Sequence, residues 1–453
     1  MDVATIVKKN GTMFDKMIKI LKHDRYKFLY SEHTSIFLFI GFVCFNLYYF
    51  SNNFFRTFLN KGSNGDEDYQ NTLYSISDIT HKKIFYTSSQ PYIFISSFID
   101  YFINIPKIST RLVSLVACLF LLQYFIKRII SNKSTFLEKI YKSTLFICAI
   151  MITSQMFIGT SDFLAIVLII PPFLIIIENF EFGKINLNLK QSILVGVLFA
   201  ISVATRPTVL VLILAFYITF FIMAGIKPLF SKENLTAFVT GIIVLFMINL
   251  LPIIEQHKII LDLKEVPEAT GVNWFQRNYL MAKYWDVDKI PNTQWLSTQD
   301  VIDFKKENPD FVFPKNQIDL LVKEPGLYFR QMTRMFIKAM YSSYRFMYLL
   351  FPLLFLSFLN HKKFNIVDQA NSANEKSLFQ NKFIIIFHLL SIVIFSFLAV
   401  KLFEFRWVIP TMILYSFFSL NYLSRFPLKV RFLVYNLSFL TGIAMYILFF
   451  IKT

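Results

Sequence analysis

Apolar runs of about 16–22 residues recur along the chain, separated by polar segments, and such runs are long enough to cross a hydrocarbon layer of about 30 Å. Taken in order they predict about eleven spans, near 35–49, 110–125, 143–158, 162–177, 192–205, 208–225, 235–254, 335–358, 383–400, 407–422 and 432–451. The predicted fold class is therefore an all-α polytopic membrane protein. The intervening loops alternate in character. Lys and Arg crowd 1–34, 127–142, 178–191, 227–232, 361–382 and 425–431, while acidic residues concentrate in two long stretches, 50–109 and 255–334. Basic loops stay on the cytoplasmic side, so the pattern places the N-terminal segment 1–34 inside and the two acidic stretches outside.

This alternation divides the chain into four parts. They are a cytoplasmic segment (1–34), a transmembrane module (35–255) carrying the first outer loop (50–109), a large outer loop (256–334) and a C-terminal group of spans (335–453). Composition changes little in that picture. The chain is 55% hydrophobic with 55 Phe, and its net charge of +17 reads as topological, not as a nucleic-acid surface. Cys44, Cys118 and Cys148 fall inside apolar runs at no metal-ligand spacing. The charged, mixed N-terminus lacks the apolar stretch and small-residue site of a cleaved signal peptide, which makes the first span a retained anchor. The expected location is a bacterial plasma membrane.

Within the first outer loop the chemistry is concentrated. Asp66, Glu67 and Asp68 form an acidic cluster in an otherwise basic chain, and Tyr69, Leu73, Ile76 and Ile79 follow at helical spacing. This predicts a short helix lying on the membrane surface, with the acids at its dipole-favoured N-terminus. A second helix is predicted from Gln90-Pro91, apolar but interrupted by Ser96, Ser97 and Asp100, and suited to an interfacial or re-entrant position. Arg111, Arg206 and Arg406 stand at outer ends of predicted spans, the last two in short turns beside Pro207 and Pro410. An arginine there is either a snorkelling anchor or a phosphate ligand, because the guanidinium fork matches two phosphate oxygens and keeps its charge. Trp274, Trp285 and Trp295 in the large outer loop suit both an aromatic belt and sugar stacking. His81 has no His or Cys partner at ligand spacing, so no dedicated metal site is indicated, although the carboxylate cluster suits weak Mg²⁺ coordination.

The order span, Asp66-Glu67, Gln90-Pro91, Arg111-Leu112 resembles the GT-C superfamily of polyprenyl-phosphate-sugar glycosyltransferases, most nearly the protein O-mannosyltransferase and lipid A aminoarabinose transferase types. Thr205-Arg206-Pro207-Thr208 resembles a middle-span turn of those proteins, and Arg406-Trp407-Val408-Ile409-Pro410 their Arg-Tyr-x-x-Pro element. Two positions depart from the pattern. Gln90 stands where a His or Lys is common, and Trp407 replaces Tyr. The resemblance implies an inverting transferase with interfacial helices in the first outer loop, Asp66 as base supported by Glu67, and Arg206, Arg406 and Arg111 on the donor phosphate. Its partners would be a polyprenyl-phosphate sugar donor, a lipid, glycan or protein acceptor, and membrane lipids. A polysaccharide polymerase or ligase, or a lipid or solute transporter, are the alternative readings of the same span pattern.

Overall fold

The structure, a computed structural model, describes residues 31–53, 89–131, 134–151, 158–181, 184–257, 259, 272, 274–287, 289, 296–347, 373–398, 405–424 and 427–452. It is mostly helical. The helices are α1 (Glu32–Asn53), α2 (Gln90–Ile103), α3 (Pro106–Ser131), α4 (Phe136–Met151), α5 (Asp162–Glu178), α6 (Leu189–Thr205), α7 (Val209–Ala224), α8 (Lys232–Ile248), α9 (Leu250–Gln256), α10 (Trp274–Asp286), α11 (Thr298–Glu307), α12 (Gln317–Lys323), α13 (Pro325–Met347), α14 (Ala373–Leu398), α15 (Ile409–Leu423) and α16 (Leu428–Lys452). A two-stranded antiparallel hairpin, β1 (Phe180–Glu181) and β2 (Lys184–Ile185), joins α5 to α6.

Among the described residues three segments are long and apolar enough to cross a membrane: Pro106–Ser131, Lys376–Leu398 and Leu428–Met445. Glu32–Tyr48, Leu189–Thr205 and Val209–Ala224 are shorter apolar helices. Helices thus fall on the predicted spans, but helix length alone does not establish a count of eleven. Boundaries also move. α4 starts seven residues before the predicted span at 143, because Thr135 and Glu138 exchange hydrogen bonds that close its first turn. The span predicted at 235–254 is divided into α8 and α9 at Asn249, whose side-chain amide donates to the Leu245 carbonyl at 3.0 Å. The hairpin was not expected, since two-residue strands carry no periodicity.

Local sequence explains the ends that matter for packing. Asn188 and Gln191 form a reciprocal capping box at the start of α6, and Ser231 caps α8 through the Asn234 amide. Gly225 closes α7 at φ 75°, a conformation open to glycine. α5, α7 and α14 meet through aromatic rings, with Phe173 stacked on Phe216 at 4.4 Å and Phe387 edge-on to Phe173 at 5.2 Å.

α2 is inside out relative to a helix on a water-soluble protein. Gln90, Ser96, Ser97 and Asp100 are buried, whereas Phe94, Phe98, Tyr101 and Phe102 are exposed, Phe102 by 71%. Four exposed aromatic rings on one short helix make a surface suited to hydrocarbon. α8 shows a similar apolar outer face through Phe238, Ile243, Phe246 and Met247.

Polar side chains gather at two ends of the bundle. One end carries Arg111 at the start of α3, Asp162 at the start of α5, Arg206 after α6 and Arg406 before α15. At the other end lie the ion pairs Arg128–Glu178, Glu138–Arg431 and Glu181–Lys376. α5 has 17 residues, so it separates the ends by about 25 Å at 1.5 Å per residue. Arg111, Arg206 and Arg406 were expected on the outer side, and the groups at the second end fall in segments expected inside.

α6 and α8 approach closely because Gly196 has no Cβ. A Cβ there would lie 2.3 Å from the Ala237 carbonyl oxygen and 2.8 Å from Thr240 Cβ, whereas one on Gly241 would meet its nearest neighbour at 3.3 Å. Gly196→Ala is therefore expected to cost about 1–3 kcal/mol by overpacking, and Gly241→Ala distinctly less. Thermal unfolding of the two purified variants in detergent checks the order, and equal midpoints would contradict it.

Candidate functional site

The first end of the bundle is built by backbone chemistry at three turns. Pro207 disfavours helical geometry in the residue before it and cannot continue the helical ladder. Arg206 accordingly leaves α6 with φ −151° and ψ 106°, and its amide still donates to Ser202 O at 2.8 Å. Its side chain thereby departs from the axis of α6 at the bundle end. Arg406 lies in a single 3₁₀ turn, Phe405–Val408, and α15 follows with Pro410 in its first turn. Trp407 packs on Phe395 at 5.2 Å, which fastens that turn to α14. Asp162 opens α5, where a carboxylate is favoured by the helix dipole.

These three side chains meet. Asp162 Oδ2 accepts a hydrogen bond from Arg406 Nη1 at 2.9 Å, and Asp162 Oδ1 lies 3.1 Å from Arg206 Nε. The Arg206 contact is ionic without a well-aligned hydrogen bond, since no acceptor lies along its Nε–H. The side chains of Asp162, Arg406 and Arg206 are 5%, 10% and 19% exposed, which places one carboxylate and two guanidinium groups together out of water. Arg111, itself buried, belongs to the same neighbourhood. Gly159 passes so close to α3 that a Cβ on it would lie 2.2 Å from Thr110 Oγ1 and 3.4 Å from the Arg111 amide nitrogen.

Hydrogen bonds fix the turn that presents Asp162. Ser114 donates to Ile158 O at 2.9 Å, and Ser89 donates to Ser161 Oγ at 3.2 Å. Ser202 donates to Ala165 O at 2.9 Å, holding α6 against α5 about one turn below the charged groups. Ser89 sits at φ 61° immediately before the Pro-led α2, so Gln90 is brought to the same edge of the bundle. Tyr92 then anchors α2 by donating to Thr110 O at 3.0 Å.

Residues of the large outer loop form a helical cap beside this end. α10, α11, α12 and the start of α13 enclose a separate core around Tyr279, Met281, Val301 and Leu320. Ser297 and Asn316 cap α11 and α12. Tyr279 donates to Glu324, and burial together with that carboxylate keeps its phenol protonated. The cap is tied to the outer end of α14, where Tyr328 donates to Phe397 O at 2.8 Å and Gln317 donates to Leu398 O. Trp285 packs against the main bundle core under the Arg334 guanidinium. Asp286 binds Arg330 and Arg334, and the hydrogen bond from Arg330 holds its carboxyl below the usual range.

Of the residues expected from sequence, Arg206 and Arg406 are brought together and Arg111 lies beside the same turn. Asp66 and Glu67 lie outside the described residues, as do His81, Trp295 and the surface helix expected after the acids. Asp162 was missed. It is the one acidic residue between Glu138 and Glu178, a signal that was there to be read, but it was absorbed into a span boundary. Among the described residues no group of three or more His, Cys, Asp and Glu side chains is placed to hold a metal ion. Chemically, the arrangement is a buried charge cluster in which two arginines share one carboxylate. No protein-family model, curated protein or solved structure matches the chain.

Removing one partner of a buried ion pair leaves an uncompensated charge. Asp162→Asn should therefore lower stability by about 3–5 kcal/mol, and adding Arg206→Gln should recover part of that loss. A double-mutant cycle by thermal unfolding measures the coupling, and strict additivity would mean that the contact is energetically silent. The cap offers a second check. A carboxyl whose folded value is depressed contributes stability above the ordinary carboxyl value, about 3.9, and loses it as pH falls through the folded value. The cap should consequently loosen below about pH 4. Amide exchange in α10 and α13 at neutral and acid pH reads this, and Asp286→Asn should flatten the response.

Proposed function

We propose that this chain is a membrane-integral, inverting glycosyltransferase of the GT-C kind, moving a sugar from a polyprenyl-phosphate donor to a lipid, glycan or protein acceptor on the outer or lumenal face. In this reading the bundle crosses the membrane about eleven times, with the N-terminus cytoplasmic and a bacterial plasma membrane as its setting. The observation that carries it is the meeting of Arg206 and Arg406 at one bundle end. Each stands at the edge of an apolar run, where the resemblance puts a phosphate ligand. The segregation of ion pairs supports the same topology, as does the helical cap placed over the end where an acceptor would arrive.

The chemistry is a single displacement. Asp66 takes the proton of the acceptor hydroxyl, whose oxygen forms the new bond to the anomeric carbon. The bond from that carbon to the donor phosphate oxygen breaks, and polyprenyl phosphate departs with the electron pair. One base suffices, because the leaving group is already good. Glu67 supports the base. Arg206 and Arg406 hold the phosphate, with Arg111 beside them. A guanidinium carries five N–H donors, so it can serve Asp162 and a phosphate oxygen together. Asp162 is then a positioning residue, which fixes two flexible side chains at the spacing that a phosphate needs. Asp66, Glu67 and Asp68 remain suited to a weakly held divalent cation.

The test is transfer of labelled sugar from a panel of polyprenyl-phosphate donors to a pool of acceptors in membranes containing equal amounts of each variant. Asp66→Asn should lose about a hundredfold or more in rate, while Arg406→Lys should keep the charge but raise the donor KM about tenfold through loss of the forked contact. Equal transfer by Asp66→Asn and the unaltered chain would end the base assignment. Absence of transfer with every donor would end the glycosyltransferase reading.

A further inference from the structure

The opposite end of the bundle holds a second charged site with no part in the chemistry above. α1, α4 and α16 all begin there, so three helix N-termini turn their positive dipole ends toward one region. Glu138 supplies the carboxylate. Its Oε1 accepts from Arg431 Nη1, and its Oε2 faces the Thr135 amide and hydroxyl at 3.2 and 3.3 Å. Both oxygens are thus engaged by other donors, and Lys142, one turn further along α4, feels the Glu138 charge without a hydrogen bond to it. Lys142 is fully buried and its Nζ has no hydrogen-bond partner.

Other donors are unsatisfied in the same place. Arg431 Nε and the hydroxyls of Tyr435 and Ser134 are buried without hydrogen-bond partners, and the Tyr141 hydroxyl lies beside that of Ser35. Tyr141 and Tyr435 lie edge to face at 5.6 Å, so their side chains belong to one cluster. Lys139 adds a half-buried cation near Lys142, and Glu32, exposed at the start of α1, is a further carboxylate near Tyr141. A buried ammonium and several buried donors without acceptors are costly. What is missing is an anion with several acceptor oxygens.

We propose that this end binds a phosphate group, carried either by an anionic phospholipid of the inner leaflet or by a soluble phosphate. The phosphate would approach past Lys139 and Arg431, whose side chain is 18% exposed, and meet Lys142 through its flexible four-carbon stem. Basic pockets between helices on the cytoplasmic side suit lipid phosphates for the same electrostatic reason. The site rests on the membrane-embedded reading of the bundle and not on sugar transfer.

The experiment uses the full chain in nanodiscs of phosphatidylcholine, in nanodiscs containing phosphatidylglycerol, and in phosphatidylcholine nanodiscs with inorganic phosphate against chloride at equal ionic strength. Thermal midpoint and co-retained lipid are read for the unaltered chain, Lys142→Met and Lys142→Arg. Phosphatidylglycerol or phosphate should raise the midpoint of the unaltered chain and of Lys142→Arg. Lys142→Met should fold at least as stably in phosphatidylcholine, since it removes a buried charge, yet lose the anion-dependent shift and retain about tenfold less anionic lipid. A shift with phosphatidylglycerol alone identifies the lipid headgroup, and a shift with inorganic phosphate identifies the free anion. No shift with either in the unaltered chain, or the same shift in Lys142→Met, overturns the proposal. A chain that stays in solution without lipid overturns the membrane reading instead, and the phosphate comparison in solution then decides the site by itself.

Discussion

One carboxylate joins two turns at one end of this bundle. Asp162 touches Arg206 and Arg406, side chains from the middle and the late part of the chain, and does so almost out of contact with water. In such a setting charge cannot be left alone. Without Asp162, two guanidinium groups would lie close together in a poorly solvated setting. The turn around Gly159, the serine contacts from α2 and α3 and the docking of α6 on α5 can all be understood as supports for that single carboxylate.

Sequence made the arginines legible because each stands beside a proline at the edge of an apolar run, a local signal. Helix positions were legible for the same reason, since an apolar run of span length needs no knowledge of its neighbours. Asp162 was not legible as a site residue, because its meaning lies in a contact with Arg406 that spans 244 positions. The early start of α4 and the break at Asn249 escaped notice because single side-chain hydrogen bonds set them, and these are weak beside the hydrophobic signal. The cap was foreseen as a long polar stretch with aromatic residues. That it packs around its own core was not, since its helices alternate apolar and charged positions too briefly for a firm period.

The two polar ends differ in how they settle their charges. One end has a carboxylate between two arginines, whose guanidinium charge is permanent. At the other end Glu138 is committed to Arg431 and Thr135, and the surplus rests on the ammonium of Lys142, a group that is costlier to strip of water. Between them the bundle is held by rings and aliphatic side chains, with Phe173, Phe216 and Phe387 joining three helices. This middle layer is apolar, whereas the charged groups gather at the ends.

The long reach of the Asp162–Arg406 contact also sets an order of events while the chain is being made. Asp162 and Arg206 emerge close together and can pair early. Arg406 follows Asp162 by 244 residues, which at about 5–20 residues per second is a delay of roughly 10–50 seconds. During that interval the carboxylate has one cationic partner instead of two. The site is thus completed only near the end of synthesis, and a chain cut short before the 3₁₀ turn at Phe405–Val408 would carry the outer loops and most of the bundle but never a finished charge cluster.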